Sequence, residues 1–199
     1  MPSSELSSHA AVDFVLDLLQ GAGIAAAFGI RPLLPLILVG ALAAANLGLD
    51  FDGTDFVFLE EWPFLAGMVV LLAAIEYAGR RTNVGYVLLA ISMVLGALYA
   101  AGSLADHDYN IAPGVVVGVA CATLGYFAAL SLFTRVRRRL DPEAASVLPL
   151  YGEGAAGASA GVSVLFPPLA LFVIGGLAWL LSGGRRRQGE KYAGLRILR

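Results

Sequence analysis

Long apolar runs separated by short polar connections dominate this chain. Residues 62–79 (WPFLAGMVVLLAAIEYAG), 84–105 (VGYVLLAISMVLGALYAAGSLA) and 111–134 (IAPGVVVGVACATLGYFAALSLFT) are apolar almost without interruption. Each is long enough for ~30 Å of hydrocarbon at ~1.5 Å per residue. Helix is the form they must take, because an open strand edge in lipid leaves backbone groups unpaired. Two further stretches are apolar but interrupted: AGIAAAFGIRPLLPLILVGALA (22–43) and GASAGVSVLFPPLALFVIGGLA (157–178). In both, small residues run up to a proline and an apolar segment with an internal glycine follows. Proline removes a backbone donor and clashes with the preceding turn. Pro32 and Pro35 in the first stretch, and Pro167 and Pro168 in the second, are therefore expected helix breaks.

The pattern predicts an all-α, polytopic integral membrane helix bundle of roughly five to seven spans. It forms one membrane domain over 1–184, with broken elements at 11–49 and 144–182 and a basic tail at 185–199. Composition agrees: 58% of residues are hydrophobic and 14% charged, outside the range of soluble globular domains. Cys121 is the single cysteine, which excludes an intramolecular disulfide or a thiolate metal cluster. The N-terminus MPSSELSSHA lacks a basic n-region, so the first apolar segment is not expected to be a cleaved signal.

Charge sorts the connections. Arg80 and Arg81 share one loop, and Arg135, Arg137, Arg138 and Arg139 another. The stretch from Asp50 to Glu61 and the Asp106-His107-Asp108 loop hold no Lys or Arg. The positive-inside rule places the arginine loops and the tail (Arg185, Arg186, Arg187, Lys191, Arg196, Arg199) in the cytoplasm. The expected location is the inner (plasma) membrane, multi-pass, with the C-terminus cytoplasmic. Between Arg139 and Arg185 the chain must then cross an even number of times, and the same parity holds at the start. A hairpin at each end satisfies it. Either 12–30 and 33–49, matched by 144–161 and 163–182, are full crossings, or each end is re-entrant with its proline break near the midplane. Residues 5–20 are alternatively an interfacial amphipathic helix. Placing Pro32 over Pro167 also places Gly40 over Gly175 and Leu42 over Leu177, which leaves an inverted repeat open.

Few residues invite chemistry. Arg31 is either a topology anchor at a cytoplasmic turn or, deeper, a guanidinium that binds an anion beside broken-helix termini. Glu76 either pairs with Arg80 one turn on or is a buried carboxylate that pairs with Arg31 or accepts a proton. Glu153, within YGEGAAGASAG, is either a loop residue or the carboxylate of a cavity wall. Asp106-His107-Asp108, with His9 on the same side, lacks a metal-ligand spacing and reads as a solvated loop. The small-xxx-small pairs Ala25/Gly29, Gly114/Gly118 and Gly157/Gly161 are expected at packing seams. Trp62, Tyr86, Tyr109, Tyr126 and Trp179 fit interfacial anchors. No catalytic set, phosphate loop or HExxH occurs, so no enzyme activity, metal or cofactor is expected.

The segment GAGIAAAFGIRPLLPLILVGALA, then an acidic loop, an apolar span ending in Glu76 and a glycine-rich stretch before LFPPLAL, resembles the bacterial membrane family known as domain of unknown function 4126. Gly29, Arg31 and Pro35 match that family's Gly-x-Arg-x-x-x-Pro signature. Its Asp-Lys-x-Pro run after the glutamate is replaced here by Tyr77-Ala78-Gly79-Arg80-Arg81. The resemblance implies an integral membrane protein and no established activity.

The reading that best joins these features is a small transporter or channel for an ion or small, anionic solute. Arg31, Glu76 and Glu153 are its substrate-binding or coupling residues. The alternative is a non-catalytic membrane scaffold or regulatory protein that binds a partner or anionic lipid through its basic segments. The lipid bilayer is the expected partner, homo-oligomerisation stays open, and nucleic acid is not expected, since topology accounts for the arginines.

Overall fold

The computed structural model describes residues 3–79 and 84–193. All regular structure among them is helical: α1 (Ser3–Ile30), α2 (Leu33–Ala43), α3 (Trp62–Gly79), α4 (Gly85–Ala105), α5 (Ala112–Arg137), α6 (Pro142–Ser146), α7 (Leu148–Leu165) and α8 (Ala170–Ala193), with single 3-10 turns at Val57–Leu59 and Pro167–Leu169. Four segments are long and apolar enough to cross a membrane: His9–Ile30, Trp62–Gly79, Gly85–Ala105 and Ala112–Arg137. The chain is thus a multi-span membrane protein by helix length and hydropathy. Both proline breaks are present. α1 stops at Ile30 before Pro32, and α7 stops at Leu165 before Pro167 and Pro168.

Three boundaries differ from the sequence reading. Residues 5–20 form no separate interfacial helix; α1 is continuous from Ser3 to Ile30. Nor is 33–49 a crossing, because α2 has 11 residues, ~16 Å of rise against ~30 Å of hydrocarbon. Its end is a Schellman cap. Leu47 N–H donates to Leu42 O, Asn46 N–H donates to Ala43 O, and Asn46 has φ 51°. The same cap closes α4, with Tyr109 N–H on Leu104 O, Asp108 N–H on Ala105 O and Asp108 at φ 56°. Finally, the basic tail does not start as a separate segment at 185, since α8 runs on to Ala193.

Small residues let α1, α4 and α5 close on one another. A methyl at Gly29 would collide with the Ala122 carbonyl, and one at Gly125 with the Ala26 carbonyl, so α1 and α5 touch backbone to backbone. Gly114 and Gly118 meet the Ala100 and Gly96 carbonyls of α4 in the same way. Van der Waals contact of this kind holds helices together where lipid offers no hydrophobic drive. Gly157 and Gly161 receive Leu34 and Leu38 of α2, which runs alongside α7 in the same direction. All three small-xxx-small pairs therefore lie at seams. α3 stands apart: only 6% of its apolar window is buried, and Leu72 is its single buried residue.

The two chain ends fold back in opposite senses. Moving along α1 from Gly21 to Gly29, the neighbours on α4 and α5 pass from Ala100 and Ser103 to Ala122 and Tyr126, toward the arginine-rich end. The turn between α1 and α2 lies toward that end, just past the contact of Gly29 with the middle of α5. The turn between α7 and α8 lies against α1 about two turns before its end, where Gly23 meets Ser163 and Ala170. The acidic segment 44–61 covers the opposite end. It is held by buried Leu49, Phe51 and Leu59, with the Tyr99 hydroxyl donating to Leu59 O at 2.9 Å.

Candidate functional site

Polar side chains gather at two places inside this bundle. The first is the α1–α2 junction. Because Pro32 ends α1, the Arg31 side chain leaves the helix at the level of the last turn of α3, where it forms an ion pair with Glu76. The pair is partly open, with side chains 20% and 43% exposed. Glu153 of α7 reaches the same junction from the other side and accepts the Leu34 N–H at 2.9 Å. That amide belongs to the first turn of α2, which has no intrahelical partner. A carboxylate therefore occupies the place an anion takes at a helix N-terminus. Gly152 leaves room here, since a Cβ would strike the Phe133 ring and lie beside the Arg31 stem.

All three sequence-derived binding candidates thus meet at one junction. Pro32 and Pro35 are buried beside it, whereas Pro167 and Pro168 lie at the other break. Arg31 sits beside the last turn of α3 and shares a cleft of about 470 Å³ with Arg137 and Arg138. Glu76 takes Arg31 as its partner; Arg80 lies outside the described residues. The cationic cleft next to a carboxylate-neutralised guanidinium is suited to small anions.

The second place was not singled out by sequence. Gln20, 5% exposed in the middle of α1, donates its amide to Gly48 O and, at 3.0 Å, to Val164 O. Those carbonyls belong to the chain just after α2 and to the last turn of α7. One side chain thus satisfies backbone left open at both interrupted elements. A lone glutamine in an apolar helix was the available signal. Nearer the acidic end, His107 Nδ1 lies 3.1 Å from Asp17 Oδ2 and 4.0 Å from Asp106 Oδ2. The Tyr109 hydroxyl donates to Ala10 O at 3.0 Å, and the Phe14 and Tyr109 rings meet edge to face. The 106–109 loop is thus docked on α1 rather than freely solvated. Burial raises the Asp106 carboxyl above its usual range, against the lowering effects of His107 and the Asp50 amide. No three His, Cys, Asp or Glu side chains among the described residues are placed to hold a metal ion.

The anchoring aromatics divide. Trp62, Tyr86 and Trp179 are exposed, as interfacial residues are. Tyr126 is half-buried and donates its hydroxyl to Gly85 O at 3.0 Å, tying α5 to the start of α4.

No family model, curated protein or solved structure matches the chain.

Proposed function

We propose that the protein is a small transporter or channel for a small anion, with Arg31 as the anion-binding group and Glu76 and Glu153 as competing internal carboxylates. The convergence of these three side chains on the α1–α2 junction carries the reading. In the resting arrangement Glu76 neutralises Arg31 and Glu153 covers the first free amide of α2. An entering anion would displace Glu76 from the guanidinium and take up the same donors, with a proton on either glutamate easing the exchange. Coupling of anion and proton movement follows from that competition.

The two hairpins, turned in opposite senses, support an inverted arrangement in which one broken element enters from each side of the bilayer, as in alternating-access carriers. The arginine-rich end is the cytoplasmic end in this reading, and the 44–61 and 106–109 segments face outward.

Proteoliposome flux of chloride, nitrate and acetate tests it. Arg31→Ala should lower flux of the transported anion about tenfold or more, the equivalent of ~1.4 kcal/mol in binding. Glu76→Gln, which removes the competing carboxylate charge, should retain flux. Equal flux in wild type and Arg31→Ala would remove Arg31 and the anion reading together.

A further inference from the structure

α7 and α8 leave their shared turn and splay apart, opening a groove of about 590 Å³ between them and α5. Its walls are apolar, with Ala128 and Leu132 from α5, Tyr151 and Ala155 from α7, and Phe172 and Gly176 from α8. Along α7 it runs from Leu148 to Ser159, ~16 Å of helix, about one leaflet of a ~30 Å hydrocarbon core. At its arginine-rich end the groove shares Leu132, Val136 and Leu180 with a second cleft of about 260 Å³, which Arg135, Arg139 and Trp179 complete. Arg135 is held in place there, donating from Nε to Ser131 O at 3.0 Å and from Nη2 to Leu180 O at 3.1 Å. On its other flank the groove shares Phe133 and Leu148 with the cleft of Arg31, Arg137 and Arg138.

We infer that this groove is a binding site for an anionic phospholipid of the arginine-side leaflet, its acyl chain between α5, α7 and α8 and its phosphate at Arg135 and Arg139. An apolar trough one leaflet deep that opens onto guanidinium groups and an exposed tryptophan complements a lipid in both shape and charge. A neutral lipid matches the trough and gains nothing from the arginines. The inference stands apart from the solute reading, since neither Glu76 nor Glu153 enters it.

Trp179 reports on the site directly, and Trp62 is the only other tryptophan. The Trp62→Phe protein, reconstituted in phosphatidylcholine, is titrated with phosphatidylglycerol brominated on its acyl chains, or with equally brominated phosphatidylcholine. Trp179 fluorescence should be half-quenched at a several-fold lower mole fraction of the anionic lipid. Arg139→Gln should bring the two curves together. Gly176→Leu, at a position where a Cβ meets no atom within 4 Å, should fill the groove and reduce the preference while circular dichroism stays unchanged. Identical curves for the two lipids in Trp62→Phe would overturn the site. So would absence of quenching by both, the result expected if a second copy of the chain covers the groove.

Discussion

Gln20 and Glu60 show how single polar atoms set the stability of this bundle. Replacing Gln20 by Leu keeps the side-chain volume close but leaves Gly48 O and Val164 O without their donor. Stranding buried acceptors costs about 1–3 kcal/mol each. Gln20→Leu is expected to lower stability by ~2 kcal/mol or more in denaturant titrations in detergent, while Gln20→Glu should be worse because it offers no amide donor. Glu60, in the segment over the acidic end, has one carboxylate oxygen buried without a partner. Burial raises its carboxyl above the usual range, with Asp52, Asp50 and Glu61 adding to the rise and a Phe51 backbone bond opposing it. The stabilisation from a raised acid is complete below the unfolded value and is lost as pH rises through the folded one. The protection of residues 50–60, taken as hydrogen exchange relative to the intrinsic amide rate at each pH, should therefore be greatest in acid and fall toward neutrality. Glu60→Gln should remove that dependence; a slope unchanged in the variant would assign it to another group. Arg31 and Glu76 were each legible because charge in an apolar run demands a partner, though Arg80 stood as the competing partner of Glu76. Gln20 was not, because an uncharged amide leaves no such imbalance in the sequence.

At the scale of elements, proline and periodicity located the helices better than they located their ends. The three uninterrupted runs correspond to α3, α4 and α5. Both interruptions fall where Pro32 and Pro167 forbid a continuing hydrogen-bond ladder. The end of α2 was hidden because Ala44 and Ala45 are good helix formers, and it is Asn46 and Gly48 with positive φ that turn the chain. A left-handed residue with a Cβ is less favourable than glycine by about 1 kcal/mol. Asn46→Gly and Asp108→Gly should thus match or exceed wild-type stability, and Asn46→Val should fall below it, as thermal unfolding in detergent would show. The α1–α5 seam permits no such freedom. Gly125→Val should separate the helices and lower stability by ~3 kcal/mol, in the range of overpacked cores; unchanged stability would mean the two backbones are not in contact. The segment 44–61 read as an outward acidic connection because its five carboxylates stand with no Lys or Arg among them. Phe51 and Leu59 nonetheless pack inward, since tertiary contact with Tyr99 and Gly102 overrides local polarity.

For the whole molecule, the arrangement of charge and turns fixes what a topology experiment should find. Reporters fused after Arg199 should be cytoplasmic, and cysteines introduced at 106–109 should react with impermeant reagents from outside. In a Cys121→Ser background, cysteine scanning of 26–36 and 160–170 should label both breaks, the first from the arginine-rich side. Labelling of neither break would favour a scaffold over a carrier. Helix class and the multi-span character followed from hydropathy, because the bilayer imposes length and composition, but four segments rather than five to seven are long and apolar enough to cross. The level of the breaks was not legible, because two proline breaks with similar local sequence sit differently in the bundle, one beside the end of α3 and the other about two turns back along α1, at Gly23.

Main-chain oxygens are the acceptors at Gly48 and Val164, so the Gln20 latch does not read the side chains of the segments it fastens. Position 48 is held to glycine by its positive φ and not by the latch, and a mutational scan should find position 20 intolerant and position 164 permissive to other aliphatic residues. A clasp of that kind also ties both ends of the chain to one point on α1, so loss of the Gln20 amide should loosen the two hairpins together.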